Sequence, residues 1–268
     1  MILRTISVIA ILCSVSCSQE ENNSSLKEIQ SIEAQIINSG VEVRSGGFLS
    51  KTKAFLYSSN IKPKGFLVIS PGGKIEPTEM SLLCETFAKQ GYVVFNIKYT
   101  QNVAAIPLPG NQDRARRFAK AIKDDIGSLS GLPGRIAELA SQDLPVYGFG
   151  HSLGGAALGT FGSESGSAFE KIVLFGTSKL IGEPSVSDRR TSLIIGSNDT
   201  VVSRSEISNL ESVFDTEVVE VEGVNHFCIL PNTSGDEEFR ARDNSTDLDQ
   251  VECVNLLVQT VDGIFSVD

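Results

Sequence analysis

The chain has 268 residues, 41% of them hydrophobic and 21% charged, with a formal net charge of −10 at pH 7. That is an ordinary globular composition, with apolar sequence enough for one large α/β domain or two small ones. The acidity argues against broad nucleic-acid binding, because phosphates would be repelled.

The first residues stand apart from the rest. Residues 1–4 make a short positive start, residues 6–12 are a nearly unbroken apolar run, and small residues lead to Cys17 and the polar stretch SQEENNSS. This is the layout of a secretory signal peptide. The apolar run is well short of the roughly 20 residues that a bilayer-spanning helix needs. The segment Ser14-Val15-Ser16-Cys17 resembles the lipobox of bacterial lipoproteins, with Ser14 where leucine is usual. The resemblance implies cleavage before Cys17, lipidation of that cysteine, and export to a bacterial membrane, in the periplasm or at the cell surface. An ordinary signal peptide cut near Cys17 is the alternative. The expected division is a signal peptide over 1–16, a lipid-anchored tether and N-terminal segment over 17–45, and a folded domain over 46–268.

Once Cys13 leaves with the signal and Cys17 carries lipid, Cys84, Cys228 and Cys253 remain. No CxxC spacing occurs, and the chain has only two histidines, which argues against a Cys/His zinc site. Cys228 and Cys253 lie on either side of a polar loop, and in an export compartment such a pair can oxidise. Two independent buried thiols are the equal alternative, because connectivity cannot be read from sequence.

Residues 18–30 lack an apolar period and read as a flexible tether, with a short helical patch at 26–37. Beyond Gly47 apolar runs alternate with helical patterns. Residues 48–57 read as a strand or hairpin, Gly65–Ser70 (GFLVIS) as a strand, 78–90 as a helix stopped by Gly91, and 92–99 as a strand. Helical sequence covers 111–126 and 134–140. Strands at 145–148, Lys171–Phe175, 192–196 and 217–221 alternate with helices beginning at Leu153 and spanning 205–214. A last helix, capped by Ser245 or Thr246, carries Val251, Val254, Leu257, Val258, Val261 and Phe265 at helical spacing. Short apolar strands alternating with helices predict a doubly wound, mostly parallel sheet covered on both faces.

Gly150-His151-Ser152-Leu153-Gly154 fits G-x-S-x-G, and its setting gives the match weight. A strand precedes it and small residues follow, which is the strand–turn–helix of a nucleophile elbow. Ser152 is therefore the candidate nucleophile. His151 directly precedes it, so its side chain is expected to pack or hydrogen-bond beneath the turn. His226 remains as the candidate base, on a glycine loop beyond the strand at 217–221. Asp199 follows the strand at 192–196 and is the candidate acid that holds the imidazole tautomer. Asp215 and Glu222 compete less well: Asp215 precedes a strand and belongs at the opposite edge, and Glu222 is expected still on the strand. The order Ser, Asp, His is that of α/β-hydrolases. The oxyanion hole is assigned to the N–H groups of Leu153 and Gly73, the latter in Pro71-Gly72-Gly73-Lys74, since Pro71 has no N–H.

These residues carry a family resemblance. The PGG loop, GFGHSLGG, GSNDTVV and EGVNHF fall in the order of the α/β-hydrolase family, and are similar to its dienelactone-hydrolase-like branch with GHSLGG elbows. Dienelactone hydrolases use a cysteine nucleophile where this chain has Ser152. The resemblance implies an α/β-hydrolase fold, and the short linker between the strands at Lys171–Phe175 and 192–196 leaves no room for a large cap domain. The resemblance also implies hydrolysis of a small ester, thioester or amide through an acyl-enzyme, with no metal or organic cofactor. A non-catalytic hydrolase-like binding lipoprotein and an acyltransferase on the same site stay open. The site is expected to be open or covered by the acidic segment 231–249, for which a solvated loop is the favoured reading. Arg114, Arg116, Arg117, Lys120 and Lys123 are expected on the wet face of a helix.

Overall fold

The structure is a computed structural model and describes residues 41–49, 52–59, 61–98, 144–162, 169–180, 190–232 and 237–267. The signal peptide and Cys17, the patch at 26–37, the helices expected at 111–126 and 134–140, and the basic run between 114 and 123 lie outside those residues.

Eight strands are described: β1 (Val41–Leu49), β2 (Thr52–Ser59), β3 (Gly65–Ser70), β4 (Tyr92–Lys98), β5 (Val146–His151), β6 (Lys171–Phe175), β7 (Thr191–Gly196) and β8 (Val218–Val221). They form one sheet in the order β1-β2-β4-β3-β5-β6-β7-β8. From β4 to β8 every pairing is parallel, and only β2 runs against its neighbours. The hairpin expected at 48–57 is wider than its sequence signal, because β1 starts at Val41 and pairs with Ser59.

Period-two alternation sorts the side chains onto two cores. Leu67 and Ile69 of β3, Phe149 of β5 and Phe175 of β6 pack on one face, with Phe87 of α1 (Ser81–Lys89) and with Cys253, Leu257, Val261 and Phe265 of a C-terminal helix. Phe66 and Val68 of β3, Leu174 of β6 and Leu193 of β7 pack on the other. There they meet Leu158 of α2 (Leu153–Gly162) and Ile207, Leu210 and Phe214 of α3 (Arg204–Phe214). Each such buried side chain contributes about 1.5–3 kcal/mol of transfer free energy. The C-terminal helix is docked by Phe265, which stacks on Tyr147 at 4.4 Å.

Two helix starts differ from expectation. The segment at 78–90 begins as a 3₁₀ turn over Pro77–Met80 before α1. A short helix α4 (Glu237–Arg242) precedes the C-terminal helix, α5 (Gln250–Ser266), which is capped by Asp249 rather than Ser245 or Thr246. The Asp249 side chain accepts from the Glu252 N–H and the Glu252 side chain accepts from the Asp249 N–H, a reciprocal pair that satisfies two N–H groups at the start of the helix.

Candidate active site

β5 runs out at His151, the chain turns at Ser152, and α2 starts at Leu153. Ser152 has φ 52°, a left-handed conformation that costs a residue with a Cβ about 1–2 kcal/mol. Neighbouring backbone holds it there. The Ser152 N–H donates to the Phe175 carbonyl at 2.8 Å, and Thr177 Oγ1 donates to the Ser152 carbonyl at 3.1 Å. The glycine after the turn is required by contact: a Cβ on Gly154 would run into the main-chain oxygens of Ser70 and Pro71.

β7 ends at Gly196 and β8 at Val221, and the loops beyond them carry Asp199 and His226 to the same carboxyl edge of the sheet. Asp199 Oδ1 accepts from the N–H groups of Val201 at 3.0 Å and Val202 at 2.9 Å. Its Oδ2 accepts from His226 Nδ1 at 2.9 Å. The ring proton is thereby fixed on Nδ1, leaving Nε2 with a free lone pair for base chemistry. Both side chains are shut off from solvent, at 1% exposure for His226 and 0% for Asp199. Gly176, at φ 58°, leaves room for the pair, because a Cβ there would sit 2.7 Å from His226 Nδ1. Asp215 instead ends α3 in a left-handed conformation ahead of β8, and Glu222 lies just past β8 rather than on it.

His151 lies beneath the turn and is fully buried. Its Nε2 donates to the main-chain oxygen of His226 at 3.0 Å, and its ring lies 4.8 Å from that of His226. Among the described residues its Nδ1 has no hydrogen-bond partner. Burial, and then the adjacent His226, push its pKa well below the ordinary 6.5, so it stays neutral.

The loop after β3 lies against the serine turn. A Cβ on Gly72 would be 3.2 Å from Ser152 Cβ, and one on Gly73 would be 3.2 Å from Leu153 Cδ2. Gly73 and Leu153, the two expected donors, are thus neighbours, and Leu153 opens a helix whose first N–H groups lack intrahelical acceptors. Among the described residues no group of three His, Cys, Asp or Glu side chains is placed to hold a metal ion.

The segment expected as a solvated loop needs correction. Its outward side chains are exposed, but its inner atoms tie the Asp199 and His226 loops together. Thr200 Oγ1 donates to the Arg242 carbonyl at 2.6 Å, Asn198 Nδ2 to Ser245 at 3.3 Å, and Asn225 Nδ2 to Asn244 at 2.6 Å. The Arg240 guanidinium lies 4.9 Å from the centre of the Phe227 ring. All three acceptors are main-chain carbonyls, so no side-chain pattern in the segment announced them. A disulfide between Cys228 and Cys253, with Cα atoms 5.9 Å apart, fastens the end of the His226 loop to α5. Cys84 is buried and unpaired, and burial pushes its thiol pKa up.

No protein-family model matches the chain, and no curated protein sequence matches it. Solved structures do. A ferulic acid esterase from Streptomyces cinnamoneus superposes with a TM-score of 0.60 at 12% identity, over 84% of this chain and 87% of that one. A dienelactone hydrolase from Anabaena variabilis gives 0.54 at 17% identity, over 84% and 97%. The chain has the α/β-hydrolase fold. A dienelactone-hydrolase-like promiscuous phosphotriesterase from metagenomic libraries is similar in the same way, at 0.55 and 13% identity over 84% and 99%. At these identities the likeness establishes the fold, and activity has to be argued from the site.

Proposed function

We propose that the chain is a serine hydrolase that cleaves a small ester, thioester or amide through an acyl-enzyme. The observation that carries this reading is the buried Asp199–His226 pair at the same sheet edge as the strained Ser152 turn. Ser152 Oγ attacks the substrate carbonyl while His226 Nε2 takes its proton, and Asp199 stabilises the imidazolium that forms. The N–H groups of Gly73 and Leu153 receive the oxyanion, and the protonated His226 returns its proton to the leaving group. Water, activated by the same Nε2, then releases the acyl group from Ser152.

The esterase and dienelactone hydrolase among the similar folds support carboxylic ester chemistry for this chain. His151, whose Nε2 is engaged by the main-chain oxygen of His226, supports the assignment of the base to His226, which is the histidine that pairs with Asp199. Fluorophosphonate labelling of Ser152, together with turnover on a panel of small esters, tests the reading. We further propose that the protein is exported and anchored through lipid on Cys17. The Cys228–Cys253 disulfide supports an oxidising compartment. Loss of labelled fatty-acid incorporation in Cys17→Ser tests the anchor, and release of an unlipidated wild type would contradict it.

A further inference from the structure

The buried machinery does not end at three side chains. Asp243, just past α4, is half-buried and faces both loops that carry the candidate acid and base. Its Oδ1 accepts from the N–H of Thr200, the residue after Asp199, at 3.2 Å. Its Oδ2 accepts from the N–H of Phe227, the residue after His226, at 3.2 Å. One carboxylate thus bridges the two loops at the positions immediately following the two partners. We propose that Asp243 is a positioning residue that sets the Asp199–His226 geometry and supplies a second negative charge to the His226 imidazolium. The proposal rests on the hydrolase reading above and adds a fourth side chain to it.

The electrostatic surroundings agree with that role. Burial raises the Asp243 pKa most, the Asp199 carboxylate raises it further, and His226 together with the Thr200 and Phe227 N–H groups lowers it. The Asp243 and His226 charges attract each other, so an ionised Asp243 stabilises the positive charge that develops on the ring during proton transfer. Among the described residues Arg240 also faces Asp243, and its guanidinium lies over the Phe227 ring and feels Glu79. Burial is the largest influence on Arg240 and lowers its pKa, while Asp243 and Glu79 raise it. Arg240 and Asp243 attract each other, so the arginine favours the ionised form of Asp243 from the side of the Phe227 ring.

A purely structural tie and a charged positioning group differ in pH dependence. His226 acts as base only when neutral, so activity falls on the acid side as it protonates. Removing the Asp243 charge makes the imidazolium less favourable, which moves that acid limb to lower pH and lowers the plateau. The experiment measures kcat/KM against pH for the full chain and for Asp243→Asn and Asp243→Ala, with melting temperature recorded for each. The expected result is an acid limb displaced downward by about one pH unit in both variants, with a plateau about tenfold lower, since one unit corresponds to a factor of ten. Asp243→Ala, which loses both acceptors, melts lower than Asp243→Asn, which keeps one. An acid limb that stays in place in both variants, or moves upward, overturns the proposal while the wild type still labels and turns over. A wild type that fluorophosphonate leaves unlabelled overturns the hydrolase reading on which it rests.

Discussion

The Nδ1–H of His226 donates to Oδ2 of Asp199 across 2.9 Å, while Oδ1 of the same carboxylate is held by the N–H groups of Val201 and Val202. Both oxygens of Asp199 are therefore engaged, and only a carboxylate satisfies all three donors. In Asp199→Asn the amide oxygen must face the two backbone N–H groups, which turns the amide nitrogen toward His226. An N–H donor there makes Nδ1 the acceptor and moves the ring proton to Nε2, where the base needs a lone pair. The expected loss in kcat is about 10⁴-fold with the fold intact. Activity within tenfold of wild type, measured on the best substrate of an ester panel, would remove Asp199 from the machinery.

His151 makes acid stability a second test. Its folded-state pKa lies well below 6.5, so below that pH the unfolded chain binds a proton that the folded chain refuses. The stabilising contribution is complete above the unfolded pKa and is lost as pH falls from there toward the folded value. The slope is at most about 1.4 kcal/mol per pH unit. Urea denaturation between pH 7 and pH 5 should show this slope in wild type and a shallower one in His151→Gln, whose amide can still donate to the His226 carbonyl. Equal slopes would mean that His151 is not held neutral.

The disulfide between Cys228 and Cys253 closes a segment with a sequence separation of 25 residues. In the chain-entropy account a loop of that size contributes about 3 kcal/mol. Cys228→Ser with Cys253→Ser should therefore lower the melting temperature by roughly 6–12 °C. The paired variant should also label more slowly at Ser152, because the His226 loop loses its attachment to α5. A variant as stable as wild type would show that the bond constrains nothing.

The strain at Ser152 can be read directly. With φ at 52°, glycine fits this position without the Cβ penalty, so Ser152→Gly should exceed Ser152→Ala in stability by about 1 kcal/mol. Both should be inactive. Equal stability of the two variants in thermal melts would show that the turn is relaxed in solution.

How much of this was legible in the sequence depends on where the chemistry sits. Periodicity placed β3 and β6 at Gly65–Ser70 and Lys171–Phe175, because apolar runs bounded by Pro and Gly leave little freedom in register. Ser152, Asp199 and His226 each follow a strand, so chain order alone carried them to one edge. The Cys228–Cys253 pairing was not decidable, since it depends on where α5 docks rather than on spacing. Asp243 was hidden for a different reason. It lies in a polar run, Arg242-Asp243-Asn244-Ser245, and its carboxylate meets backbone N–H groups, which leave no mark on composition. The place of His151 beneath the turn was legible from its position before Ser152, whereas its bond to the His226 main chain depends on the fold.

The most direct test of the central claim is to locate the fluorophosphonate adduct on the intact protein. Mass spectrometry of the labelled wild type is expected to find one adduct, on the peptide containing Ser152. Ser152→Ala should give no adduct, and His226→Ala should react far more slowly, while both keep the wild-type circular dichroism spectrum. An adduct on another residue, or an unlabelled wild type that is properly folded, would contradict the account.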